Sequence, residues 1–482
     1  MDAERETAAG NYIGIRENGV VSWRGIRYAR ASRFGEPELA PPPRLPTVFP
    51  DFGPACVQAR LRTLGAQRSE AEGSLYLNVY SPAADDARRP VVVWIHGGAY
   101  QGGAGSGYDG APLAAQGDVV VVTVNYRLGV LGFTDLSDLG VPRNLGLRDQ
   151  IAALTWVRDN IALFGGDPRA VTLAGESAGS ISVSLLMLAP AAHPLFHRAI
   201  MQSGAVNLVH DDAAGRQLGS EVRSILDSEG VGLPAMSRVM VGAVLAAQQQ
   251  VGWQNPGTIP AAPIFDGDLL PKSLEEALTT PTPPIPLLAG WNRDEIRFFD
   301  LPGVRGSLPR TRPRLSRLLY DQLGAETAST ILAMYPESRA GTRDLGTDVN
   351  FAMPTRHFAE RHAKAGHPTW MYRLDKSGLL LGAPHAADLT YLWNQRGMAY
   401  TLLRGGPLIG RRLALANRFR RHWLSFVRYG RPDRDWPEYN ARTRMTHLFN
   451  DSDRSVSEVD SQRHEAWNGH DVLVARGLGK DQ

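Results

Sequence analysis

A large, mostly parallel, twisted α/β sheet with helices on both faces is the fold this sequence predicts, and three stretches predict it. Pro90–Ile95 (PVVVWI) and Asp118–Val124 (DVVVVTV) are unbroken apolar runs, which is how strands buried on both faces read. Between Asn144 and Pro168, Leu147, Ile151, Leu154, Val157 and Ile161 recur at helical spacing before Gly165, Gly166 and Pro168, an amphipathic helix with a glycine stop. A further apolar run, Ala170–Gly175 (AVTLAG), leads directly into a second helix-capable segment. Strand, helix and strand in that order imply a right-handed parallel crossover.

The remaining elements follow in chain order. Residues 1–10 (MDAERETAAG) carry charges of both signs and no apolar core, so they read as a weakly ordered N-terminus and not as a signal peptide. Small antiparallel strands are expected to pack alongside the sheet near this end. His197–Gly204 (HRAIMQSG) is a further strand running into a loop. Residues 205–284 are helical, broken by Pro and Gly, and close on TTPTPPIP. They are expected as insertion material over the sheet's carboxyl edge, with parts of 300–365 as further cap. The sheet resumes with Ile285–Asn292 and Pro368–Asp375, and a helix over Arg411–Tyr429 precedes the breaker GRPD. The chain has no internal repeat, and residues 11–476 read as one domain followed by a weakly ordered tail, 477–482.

Composition removes several function classes. The 52 basic and 49 acidic residues, net +3, are spread along the 482-residue chain, whereas nucleic-acid binding needs clustered Lys and Arg. A single cysteine, Cys56, excludes an intramolecular disulfide and a cysteine-based metal site. No apolar run reaches the roughly 18 residues of a membrane span. A soluble, cytoplasmic protein without nucleic-acid or membrane partners is expected, and nothing in the sequence specifies an oligomeric state.

The chemistry gathers at Gly175-Glu176-Ser177-Ala178-Gly179. A strand that turns at once into a helix bends sharply at Ser177, and glycines at 175 and 179 let backbone approach backbone there. The G-x-S-x-G pattern is that of the α/β-hydrolase nucleophile elbow, which lifts the hydroxyl above the sheet edge. Such a serine needs a base, and the base needs a carboxylate, in the order serine, acid, histidine. Asp294 and Glu295 lie just past the strand ending near Trp291, and His385 lies in a Gly/Pro loop before an apolar helix. Chemistry alone leaves both acids open. Trp94–Gly110 (WIHGGAYQGGAGSGYDG) leaves a strand through glycines whose N–H groups, with that of Ala178, can stabilise an oxyanion. A phosphate cradle is the other use of such a loop, but no lysine follows and the spacing matches neither dinucleotide nor P-loop patterns.

Taken together, VSWRGIRYA, FGPACVQ, LYLNVYSP, VVVWIHGGAY, NLGLRDQIAALTWVRDNIALFGGDP, VTLAGESAG, HRAIMQSG, GWNRDE and GAPHAADLTYLW resemble the type-B carboxylesterases, the group of bacterial p-nitrobenzyl esterases, animal carboxylesterases and cholinesterases. The resemblance runs from about Asn11 to Pro437. It implies the α/β-hydrolase fold, Ser177 as nucleophile, His385 as base, Glu295 as orienting acid, and Gly98, Ala99 and Ala178 as oxyanion donors. It also implies that Glu176 helps hold an imidazolium and that Ser203 is a second buried serine near the site, for which a satisfied structural hydroxyl is an equal reading. The sequence departs from the family at four places. Secreted relatives bridge the positions of Cys56 and Ser74, which cannot happen here and agrees with a reducing compartment. Ile296 replaces the glycine after the acid, and the acidic residue after the base is Asp388. The choline-binding tryptophan before LYLN has no counterpart. The implied activity is hydrolysis of neutral, small-molecule carboxylic esters through an acyl-enzyme, with no metal or cofactor. Amides, carbamates or lactones on the same triad are the alternative, and a non-catalytic binding role is a remoter one. An unperturbed His385 would centre the pH dependence within about a unit of 6.5.

Overall fold

The valine-rich runs become the middle of one 13-stranded sheet. The computed structural model describes residues 5–59, 68–227, 232–255, 257–301, 308–376, 381–393, 401, 403, 406–407 and 409–475. At one edge β1 (Arg5–Ala9), β2 (Tyr12–Glu17) and β3 (Val20–Arg27) form an antiparallel ribbon. Short β4 (Ala29–Arg30) and β5 (Glu38–Leu39) pair with each other, and β6 (Thr47–Val48) lies beside β2. β7 (Tyr76–Ser81) joins this ribbon, through β3, to β9 (Val120–Val124), antiparallel to both. From β9 the sheet runs parallel through β8 (Arg89–Ile95), β10 (Gly166–Glu176), β11 (Arg198–Gln202), β12 (Leu287–Asn292), β13 (Thr369–Leu374) and β14 (Thr446–Phe449). β15 (Arg454–Val456) closes the far edge antiparallel.

Why the central strands read so plainly is visible in their burial. Val91, Val93 and Ile95 of β8, with Val120, Val122 and Val124 of β9, feed one apolar core, while Val92, Trp94 and Val121 feed the other. Side chains alternate between faces along a strand, so a strand covered on both sides needs apolar residues at every position. The amphipathic helix is Leu145–Asn160; a 3₁₀ turn (Ile161–Phe164) follows, and Gly165 stops it at φ 82°. Arg127 and Asp149 anchor it, the guanidinium donating to both carboxylate oxygens at 2.7 and 2.8 Å with both side chains buried.

The order β9-β8-β10 matters most for function. The chain passes from β8 to β9 on one side and returns to β10 on the other, so connections leave β8 and β10 in opposite directions. A crevice opens at the carboxyl ends of strands at such a reversal, and ligands bind there. Residues 205–284 leave after β11 and return at β12. Their helices Asp212–Leu226 and Val241–Gln254 pack into a separate apolar cluster with Val130 and Leu131. The 300–365 region carries helices Arg312–Ala333, Arg339–Thr347 and Met353–Lys364, with a wide π turn at Asp348–Ala352.

Three features differ from the sequence reading. Arg5–Ala9, read in no element from the sequence, form a strand paired with β2 from Arg5↔Arg16 to Ala9↔Tyr12; a backbone ladder at a sheet edge requires no apolar run. The N-terminal strands do not pack alongside the sheet but continue it, because β7 offers an edge to β3 as well as to β9. β14 and β15, of four and three residues, are too short to register as periodic patterns. The expected tail, 477–482, lies outside the described residues. Among the described residues no helix is long and apolar enough to cross a membrane.

Candidate active site

β10 ends at Glu176, and a helix, Ala178–Leu186, begins two residues later, leaving Ser177 alone at the bend with φ 57°, ψ −125°. A non-glycine residue in such a region is strained, so its surroundings must hold it. The Ser177 N–H donates to the Gln202 carbonyl on β11 at 2.9 Å. A Cβ at Gly179 would lie 2.1 Å from the Ile95 carbonyl oxygen, and one at Gly175 would lie 2.5 Å from the Gly179 carbonyl carbon. Both glycines therefore serve close backbone approach, as the sequence pattern implied.

The glycine-rich loop after β8 folds against this bend. A Cβ on Gly97 would meet the Glu176 carbonyl oxygen at 2.7 Å and Ser177 Cβ at 3.1 Å. Gly98, Ala99 and Tyr100 all have positive φ (116°, 54° and 60°). The turn is braced by N–H groups of Gln101 and Gly102 on the Gly98 carbonyl, at 3.0 and 3.2 Å. The Gln58 carboxamide clamps Gly103, accepting from its N–H at 2.9 Å and donating to its carbonyl at 3.0 Å. Ala178 is the first residue of its helix, so its N–H has no intrahelical acceptor.

His385 sits in a tight loop beside two carboxylates. Its Nδ1 lies 2.7 Å from Glu295 Oε2, and its Nε2, turned toward the elbow, lies 3.2 Å from Glu176 Oε1. The His385 N–H also donates to the Glu295 carbonyl at 3.2 Å. Glu295 is fully buried, and its Oε1 accepts from Ser203 Oγ and from the Asn292 N–H, each at 2.6 Å. The neighbouring Asp294 faces elsewhere: it accepts from the Ala383 N–H at 2.9 Å and pairs with Arg293 and Arg297 at 3.1 and 3.2 Å. Ser203 is thus a satisfied hydroxyl, and Glu295 is what satisfies it.

Sequence reasoning did not find the rest of the site. Asp388, noted only as an acid near His385, is a buried acceptor for Gln202 Nε2 (2.7 Å), Tyr372 Oη (2.8 Å) and Asn292 Nδ2 (3.2 Å), gathered from three strands. Phe351, Phe299 and Phe298 surround the imidazole with ring centroids 4.5, 5.3 and 6.0 Å away. The adjacent Phe298-Phe299 pair just after Glu295 was a usable signal; Phe351, brought in by the π turn, had none.

These neighbours set the site's electrostatics. Burial drives the Glu176 carboxyl up to about 8; His385 opposes the rise, and Asp388 and Glu295 add to it. Burial works against a charged His385, but Glu176 and then Glu295 overcome it and raise the imidazole to about 9. The site thus favours the charged imidazole more than water does. Among the described residues, the clusters with metal-ligand spacing centre on His422 and lie away from this crevice.

A parallel sheet reversing at β8, with a serine elbow and a buried histidine at its carboxyl edge, is the architecture of an α/β-hydrolase. The carboxylesterase family matches residues 2–467, and the chain belongs to that family, the type-B carboxylesterases; it is a carboxylic ester hydrolase. Para-nitrobenzyl esterase of Bacillus subtilis is 34% identical, covering 95% of this chain and 97% of its own. Liver carboxylesterase 1 of Mus musculus is 32% identical over 90% of this chain and 86% of its own. A solved PNB esterase superposes with a TM-score of 0.87 at 32% identity, covering 97% of this chain and 99% of that one.

Proposed function

We propose that the protein hydrolyses neutral carboxylic esters through an acyl-enzyme formed on Ser177, with His385 as general base and acid and Glu295 as the orienting carboxylate. The observation that carries this reading is the placement of one buried imidazole, its Nδ1 2.7 Å from Glu295 and its Nε2 turned to the residue beside Ser177. The Glu295 contact favours the proton on Nδ1, which leaves the Nε2 lone pair free to take the serine proton. Attack of Oγ on the ester carbonyl gives a tetrahedral oxyanion, for which the N–H groups of Gly98, Ala99 and Ala178 are the proposed donors. His385 then hands the proton to the leaving alcohol, and water, activated by the same imidazole, releases the acid.

Charge and shape support neutral substrates. Glu295 and Asp388 are buried carboxylates that act on His385, which disfavours an anionic acyl group, and the three phenylalanines around His385 supply apolar contact instead. Ser177→Ala tests the assignment: the folded variant is expected to lose roughly 10⁶ in kcat toward a p-nitrophenyl ester. Retention of a tenth of wild-type activity would refute it. Parallel assays on an amide, a carbamate and a lactone measure the leaving-group preference of the same triad.

A further inference from the structure

We infer that the protein carries a binding site for a divalent first-row transition ion of the zinc type at the far edge of the sheet, held by His422, His447 and Asp453. The three come from different elements: His422 from the helix Gly410–Tyr429, His447 from β14, and Asp453 from the turn between β14 and β15. Their ligand atoms all lie within 4.8 Å of one another. Nothing in this site uses the elbow, so it stands apart from the proposed mechanism. β14 is four strands from β10, which at a spacing of about 4.8 Å puts the two roughly 19 Å apart across the sheet.

What marks the cluster as a ligand site is a pair of unsatisfied ring nitrogens. His422 and His447 are 1% and 3% exposed, yet His422 Nδ1 and His447 Nε2 have no hydrogen-bond partner among the described residues. Buried nitrogens left unpaired are costly, and two imidazoles with ring centroids 5.2 Å apart share the same deficiency. A cation accepting both lone pairs removes it.

The outer contacts are those that orient ligands. His447 Nδ1 is 3.0 Å from Ser455 Oγ, which commits that nitrogen and leaves Nε2 for the metal. Trp436 stacks on the His447 ring at 4.5 Å. Asp453 is held by Arg418, whose Nε and Nη2 donate at 2.6 and 3.1 Å. Hydrogen bonds of this kind fix ring and carboxylate orientation in metal sites. His422 also belongs to a second cluster, with Asp433 and Asp435. Two imidazoles with carboxylate select zinc-like ions over calcium or magnesium, which prefer all-oxygen sites. Tetrahedral bonds of about 2.0–2.1 Å put ligand atoms about 3.4 Å apart, so pairs at the 4.8 Å limit close by about 1.4 Å on binding. Bound there, the ion would clip the helix to the two edge strands.

Full-length protein stripped with EDTA and dialysed against Zn²⁺, with the metal counted by mass spectrometry, tests the inference. About one ion per chain, a higher melting temperature with Zn²⁺, and at least a roughly tenfold weaker affinity in His422→Gln and in His447→Gln are expected, with ester hydrolysis unchanged by stripping. Wild-type protein that retains no Zn²⁺, or both variants binding as wild type does, overturns it. Should the variants fail to fold, anomalous diffraction from a Zn²⁺-soaked wild-type crystal decides: a peak between His422 and His447 is expected, and a peak only elsewhere overturns the site.

Discussion

Glu295→Gln and Asp294→Asn, compared in one assay, separate two adjacent acids that local sequence cannot tell apart. Glu295 uses both oxygens: Oε2 faces His385 Nδ1, and Oε1 accepts from Ser203 Oγ and the Asn292 N–H. A glutamine has one oxygen to offer. If it keeps the two donors, its amide N–H₂ faces Nδ1 and forces the imidazole proton onto Nε2, the wrong tautomer for accepting from serine. If it flips, the amide donors collide with the Asn292 N–H in a fully buried place. Either way the imidazolium that forms during reaction loses its counter-charge. At an effective dielectric of about 20 and a charge separation near 4 Å, that attraction is about 4 kcal/mol. Adding the tautomer penalty brings the expected loss in kcat/KM to about 10⁴, or roughly 5 kcal/mol.

Asp294→Asn removes charge only from a partly exposed brace between Ala383, Arg293 and Arg297, so less than about a tenfold loss is expected. Initial rates on a p-nitrophenyl ester, with melting curves to certify folding, make the comparison. A crippled Asp294 variant beside a Glu295 variant within tenfold of wild type would refute the reasoning and shift attention to Ile296, where the family carries glycine.

Two further predictions concern charge and covalent closure. Because Glu176 and Glu295 raise His385 to about 9, and only the neutral imidazole accepts the serine proton, kcat/KM is expected to rise with pH toward that value. Glu176→Gln, deleting a carboxylate 3.2 Å from Nε2, is expected to move the midpoint down by about one to two units; an unmoved or higher midpoint counts against the assigned cause. Ser74→Cys is expected to form a disulfide, since Ser74 Oγ already lies 2.9 Å from Cys56 Sγ. Closing that 18-residue separation corresponds to about 3 kcal/mol, or a melting temperature higher by about 3 °C that dithiothreitol abolishes; two free thiols under oxidising conditions would disprove it.

The parts of the fold legible in the sequence are those whose environment is uniform. β8 and β9 are buried on both faces, so every residue obeys one rule, and the amphipathic helix obeys another with a glycine to end it. β14 escapes because Thr446 and His447 are polar residues buried by distant partners, among them Ser455 and Trp436, and a strand made by its neighbours leaves no local period. The same holds for β1, where Arg5 and Glu6 are ordered by a ladder to β2 and not by any pattern of their own.

The site divides along a similar line. The elbow is a local object: Gly175, Ser177 and Gly179 are neighbours in the chain, and their steric necessity is written in five residues. The proposed acid is a tertiary object. Asn292 is near Glu295 in sequence, but Ser203 comes from the end of β11 and His385 from a loop beyond β13, and only their convergence distinguishes Glu295 from Asp294. Residue-level chemistry left that choice open, and the family resemblance made it. Glu176 lies between these cases. Its position beside the serine was plain from the start, yet its effect on the histidine depends on burial and on two further carboxylates, Glu295 and Asp388, brought in from other elements. An ionisable residue's place in a motif is a property of sequence; the pH at which it acts is a property of the fold.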